Sequence, residues 1–191
     1  DDVPEGDYEL IALPLALAYA ALIVYASLYP FAEWRDQGIV PWAFLTAPWP
    51  KYWTAFDFIT NVVGYMPVGF LAALAVLRTH ADDRIGPAVL RATLVGGLIS
   101  FAMEALQGYL PSRIPSNVDL GLNTLGALGG AILAAGMERF GAVAHWHRTR
   151  ETWFVDEARG ALVLLALWPV ALLFPVAVTF GLGQVFERLE E

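Results

Sequence analysis

The chain has 191 residues, 58% of them hydrophobic, no cysteine and a formal net charge of −8, with a mean hydropathy of +0.55. A soluble domain of this length carries about 45–50% apolar residues, so the excess must be housed outside an ordinary globular core. The acidic balance argues against nucleic acid, which would need a basic patch, and the missing cysteines exclude disulfides and thiolate metal sites.

The apolar excess is gathered into long runs. Tyr8–Pro30 holds one charge, at Glu9, while Phe58–Leu77, Leu120–Met137 and Gly160–Gln184 hold none. Runs of about 18 or more apolar residues are long enough to cross the hydrocarbon of a bilayer. The chain therefore reads as all-α, a polytopic membrane bundle of about five transmembrane helices forming a single membrane domain over 1–191. The helices are expected at 8–29, 57–77, 88–108, 118–137 and 160–184. The first has an acidic flank and no cleavable signal pattern. The start without Met fits a trimmed or processed chain, and the end at Glu191 fits a piece of a longer one.

The segment 30–56 follows. It holds four of the seven tryptophans, Trp34, Trp42, Trp49 and Trp53, with Pro30, Pro41, Pro48 and Pro50. Proline at this density prevents a long helix, and Trp favours the headgroup level. The segment reads as lying in the membrane interface, either as a simple aromatic belt or as a lid over a lipid-accessible cavity.

The second and fourth helices repeat one pattern. Thr54-x-x-Asp57-x-x-x-Asn61-x-x-Gly64 and Ser116-x-x-Asp119-x-x-x-Asn123-x-x-Gly126 match at a constant offset of 62 residues, continued by Leu71-Ala72-Ala73 and Leu133-Ala134-Ala135. Two related hairpins arranged as a parallel repeat would produce this. Thr54 and Ser116 suit helix N-caps, and the acid three residues on suits a capping box and the positive end of the helix dipole. Gly64 and Gly126, with Gly121, Gly129 and Gly130, read as close helix packing. Asn61 and Asn123 sit a turn further into the membrane, where an unpaired amide is costly, so both must face the bundle interior.

The third helix contributes Ser100, Glu104 and Gln107 at i, i+4, i+7, one stripe on one face. It runs opposite to its neighbours. At a rise of about 1.5 Å per residue, Glu104 is expected level with Asn61 and Asn123, and Gln107 level with Asp57 and Asp119. Arg113 follows in the connection just above. The expected polar cluster is thus Asp57, Asn61, Ser100, Glu104, Gln107, Arg113, Asp119 and Asn123. An ionisable residue inside a membrane is a functional-site candidate, and Glu104 is the candidate acid or base. The bland alternative is a structural hydrogen-bonding knot with Arg113 as partner. Three acids against one arginine leave one acid protonated, or a place for a cation or a ligand donor.

No metal site and no cofactor are expected. Carboxylates and amides suit a hard cation, but His80, His145 and His147 lie in loops at the other end. No nucleophile–His pair, phosphate loop or dinucleotide fingerprint is present. Seven of the eleven basic residues fall in 78–91 and 138–159, against four elsewhere. The positive-inside rule then puts those two loops in the cytoplasm and the polar cluster toward the outside.

These residues resemble a known family. Glu104-x-x-Gln107, Pro111-x-Arg113 and Asp119-x-x-x-Asn123-x-x-Gly126 with Gly130 look like the central signature of VanZ-like proteins. Asp57, Asn61, Tyr65, Pro67 and Gly69 look like the accompanying pattern on the preceding helix. The resemblance covers about 57–135, with the 160–184 helix outside that core. It implies a bacterial cell-envelope protein of the cytoplasmic membrane, in a family named for a protein associated with low-level resistance to teicoplanin, a lipid-bearing glycopeptide. The family's acidic residues carry over as signature positions only.

Three functions remain open. One is a binding protein for an amphiphile, with membrane lipids, a lipid-linked cell-wall intermediate or a lipoglycopeptide as partner. Another is a membrane enzyme acting on a lipid-linked substrate, with Glu104 as acid or base and Arg113 holding an anionic group. The third is a proton-coupled lipid or solute transporter.

Overall fold

A computed structural model describes residues 9–49, 54–79 and 85–140, all within one compact unit, Asp1–Val143. They form four helices and one short 3-10 turn: α1 (Glu9–Leu28), the turn (Ala43–Thr46), α2 (Ala55–Thr79), α3 (Ile85–Gln107) and α4 (Asn117–Arg139). No strand occurs among the described residues. Three stretches, Ala55–Arg78, Ile85–Gln107 and Asn117–Arg139, are long and apolar enough to cross a membrane; α1 carries a shorter apolar stretch, Ala12–Leu28. The expected fifth helix at 160–184 lies outside the described residues. So do Pro50, Lys51, Trp53, His80, Arg84, His145 and His147.

The helix starts follow from local chemistry. At the head of α2, the Asp57 N–H donates to Thr54 Oγ1 (3.2 Å), while Thr54 N and Oγ1 both donate to Asp57 Oδ2 (2.8 Å each). This is a reciprocal capping box. At the head of α4, Ser116 Oγ accepts from the N–H groups of Val118 (3.2 Å) and Asp119 (3.3 Å). Both caps therefore satisfy donors that a helix N-terminus leaves open.

α2 and α4 form the most intimate pair of the bundle. A Cβ at Gly126 would fall on the Val62 carbonyl, one at Gly130 on the Met66 carbonyl, and one at Gly69 on the Ala127 carbonyl. The first two contacts rise together along both helices, so α2 and α4 run parallel. In lipid no hydrophobic force draws helices together, and close backbone packing over small residues takes its place. The expectation of close packing fails at Gly64, Gly121 and Gly129, where a Cβ would meet nothing within 4 Å. Those glycines lie off the contact face.

α3 runs antiparallel to α4. Glu104 meets Ser116, Ser100 meets Asn123, and a Cβ at Gly96 would strike the Ala127 side chain. α1 runs antiparallel to α2: Tyr19 meets Gly64, and Ala12 joins a core of Ala73, Leu74, Ala92, Ala131 and Ala134. This up-down order brings the C-terminal ends of α1 and α3 and the N-terminal ends of α2 and α4 to one end of the bundle.

Candidate functional site

The segment between α1 and α2 folds back onto that end. The Arg35 N–H donates to the Tyr109 carbonyl (3.0 Å), Gln37 Nε2 to the Gly108 carbonyl (2.7 Å) and Asn117 Nδ2 to the Ala47 carbonyl (2.8 Å). Phe44 packs on Phe101 with ring centroids 5.8 Å apart. Trp34, Trp42 and Trp49 remain exposed. The segment is tied to the α3–α4 connection by its backbone and presents its indoles outward.

Beneath it the polar residues form a track whose exposure falls with depth. Asp57 is exposed at the mouth, near enough for its charge to act on Asp119. Asn61 and Asp119 are half-buried, and Asn61 Nδ2 donates to Asp119 Oδ1 (3.1 Å). Glu104 is next, 4% exposed, its Oε2 accepting from the Ser116 N–H (2.7 Å). Asp119 lies close enough to repel it. Deepest are Ser100 and Asn123, fully buried or nearly so, joined by a bond from Asn123 Nδ2 to Ser100 Oγ (2.9 Å).

Two residues of the expected cluster turn elsewhere. Arg113 donates to the carbonyls of Ala26 (3.3 Å) and Tyr29 (3.2 Å), and Gln107 Nε2 to the carbonyl of Ser27 (3.0 Å). Both hold the C-terminal end of α1. The hydrogen-bonding knot with Arg113 as partner of the acids is therefore not what forms. The ion pair Arg78–Glu138, at 3.9 Å, lies at the opposite end. The depth of Glu104 also differs from expectation. It stands level with Ser116 and Asp119, and Ser100 takes the place opposite Asn123.

Tyr65 belongs to this site although it was not placed among the candidate site residues. Its hydroxyl lies beside Ser100 and within reach of the Glu104 charge. Its spacing could have revealed it: Asp57, Asn61 and Tyr65 recur every four residues along one face of α2. No group of three or more His, Cys, Asp or Glu suited to a metal occurs among the described residues.

The sequence profile described as VanZ/LLP1 matches residues 11–138 of the chain. No curated protein and no solved structure gives a significant match.

Proposed function

The chain belongs to the VanZ/LLP1 family, and from that premise we propose that it binds an amphiphile or a lipid-linked cell-wall component through the polar track, as a protein of the bacterial cytoplasmic membrane. The observation that carries this reading is the graded burial from exposed Asp57, past Asp119 and Asn61, to Glu104 at 4% exposure. A headgroup has polar partners at every depth along such a track, and the exposed Trp34, Trp42 and Trp49 suit the interface where its lipid part lies. The seven-to-four distribution of basic residues supports an outward-facing track. The parallel pairing of α2 and α4 is compatible with the 62-residue repeat being two related hairpins.

A second reading has one specific observation in its favour. Tyr65 and Glu104 are both buried, and the Glu104 charge acts on the Tyr65 hydroxyl, which would suit acid–base chemistry on a lipid-linked substrate. Arg113 does not support that reading as an anion holder, since it is engaged with the carbonyls of Ala26 and Tyr29.

The test compares cells expressing wild type and Glu104→Gln at matched membrane levels for susceptibility to teicoplanin. Wild-type protection that the folded variant loses supports the track as the working site. Susceptibility equal to the empty vector in both strains sinks the proposal. Product formation from a lipid-linked substrate, abolished by the same variant, would favour the enzyme reading.

A further inference from the structure

Between α1 and α2 the stretch 38–49 carries no charge, whereas Glu33, Arg35 and Asp36 stand just before it. Its large apolar side chains point away from the protein. Ile39, Val40, Trp42, Leu45 and Trp49 are all exposed, and only Phe44 is buried. Phe44 fixes the depth of the stretch. Its ring lies 5.8 Å from that of Phe101. Phe101 stands about 9 Å below the end of α3 at Gln107, at about 1.5 Å of rise per residue. The Phe44 ring therefore lies below the helix end, against the flank of α3. That flank faces lipid. Leu90, Leu94, Leu98 and Phe101 share one side of α3, the three leucines are exposed, Leu98 by 67%, and α3 is long and apolar enough to cross a membrane. The Phe44–Phe101 contact continues this leucine face onto the stretch.

The backbone carries a second, independent mark of apolar surroundings. Irregular chain within a bilayer must find partners for its polar groups inside the protein. The N–H groups of Ala43, Leu45 and Ala47 donate to the carbonyls of Val40 (2.9 Å), Trp42 (3.1 Å) and Phe44 (3.2 Å). Thr46 Oγ1 donates to the Ala43 carbonyl (3.2 Å), and Asn117 Nδ2 to that of Ala47 (2.8 Å). Pro41 and Pro48 bring no N–H that would need an acceptor. We propose that 38–49 is a re-entrant wedge seated in the bilayer leaflet at this end of the bundle, with lipid acyl chains as the partner of its exposed apolar side chains. Interfacial elements bury their apolar face about 5–10 Å into the boundary between headgroups and acyl chains, which matches the depth of Phe101. Glu33, Arg35 and Asp36 then mark the headgroup level. The bonds to Gly108, Tyr109 and Asn117 make the wedge part of the bundle's end, so it stays in place and does not swing as a lid. It enlarges the contact with one leaflet only and thereby sets the height of the bundle in the membrane.

Single cysteines carrying a nitroxide spin label, in the otherwise cysteine-free full chain, read these surroundings in vesicles of phosphatidylcholine and phosphatidylglycerol. Ile39→Cys and Leu45→Cys test the wedge, Leu98→Cys marks the acyl region, and Glu33→Cys marks the headgroup level. All four side chains are exposed, so the fold should tolerate the labels. Val40→Cys, on the same stretch, replaces either wedge variant if it loses helical circular dichroism. Collisions with dissolved oxygen should outweigh those with a water-soluble nickel complex at Ile39 and Leu45, as at Leu98, and the balance should reverse at Glu33. Nickel-dominated collisions at either wedge position would place the stretch in water and overturn the proposal. Infrequent collisions with both reagents would show that protein, a second copy or another part of the chain, covers it, and would overturn the proposal equally.

Discussion

Gly130→Ala should destabilise the bundle out of proportion to the single methyl it adds. The new Cβ would fall on the Met66 carbonyl and close to the Phe70 N–H. Both neighbours are α2 backbone, so no side-chain rotation makes room, and α2 and α4 must move apart. Overpacking of a tight interior costs about 1–3 kcal/mol, and the rigid neighbours place this substitution near the upper end, about 3 kcal/mol. Separation also loosens the Gly126–Val62 approach one turn away. Gly129→Ala is the matched control. It lies one residue earlier on the same helix and meets nothing within 4 Å, so it should be neutral or gain up to about 1 kcal/mol from the better helix propensity of alanine. The expected gap between two Gly→Ala changes at adjacent positions is therefore about 3–4 kcal/mol, the sum of these effects. Graded denaturation in mixed micelles, followed by tryptophan fluorescence, measures it. Equal stability of the two variants, within about 0.5 kcal/mol, would refute backbone contact as the basis of the α2–α4 pair.

Three further outcomes are expected. Glu104→Gln retains an oxygen to accept the Ser116 N–H and should change stability by less than about 1 kcal/mol, whereas Glu104→Leu strands that N–H and should cost about 1–3 kcal/mol; the same denaturation assay separates them, and equal losses would contradict the bond. Arg113→Gln should speed hydrogen exchange around Ser27–Phe31, since the Ala26 and Tyr29 carbonyls lose their clamp, while exchange in α2 and α4 stays slow; unchanged exchange at that end would show the clamp is idle. The chain has no cysteine, so single substitutions report topology directly: Ser112→Cys should react with an impermeant thiol reagent in intact cells and Glu138→Cys only after permeabilisation. The reverse pattern would invert the orientation and move the track to the cytoplasmic side.

The helices were legible because long uncharged runs have few other interpretations, and the ends of the four described helices lie within three residues of expectation. The N-caps were legible as well, but only Thr54 and Asp57 close the full box; Ser116 accepts from the Asp119 N–H while its own N–H goes to Glu104 of α3. Which glycines carry the packing was harder to read. Gly126 and Gly130 touch α2 while Gly121 and Gly129 do not, and composition alone does not say which face of α4 a neighbour will occupy. The register of α3 against α4 was missed by about a turn. Counting rise per residue assumes that the connection spends its residues climbing. Here the Tyr109, Leu110 and Arg113 N–H groups bond back to Leu106, Gln107 and Leu110, and these consecutive tight turns use up chain while changing its depth little. Glu104 consequently reaches Ser116 instead of Asn123.

Arg113 shows why counting charges along the sequence misassigned its partner. Three acids and one arginine near the same end invite an ion pair, yet each finds a helix terminus instead. The carbonyls at the C-terminal end of α1 have no helical donors and carry the negative end of its dipole, and they draw Arg113 and Gln107. The N-terminal ends of α2 and α4 offer unpaired N–H groups and positive potential. Asp57 is held at the first by its bond to the Thr54 N–H, and Glu104 at the second by the Ser116 N–H, with Asp119 in the first turn of α4. Because the up-down topology sets ends of opposite polarity side by side, the acids and the arginine can share one end of the bundle without pairing. That arrangement explains how Asp57, Glu104 and Asp119 can gather at one end of the bundle with Arg113 bonded instead to the carbonyls of Ala26 and Tyr29.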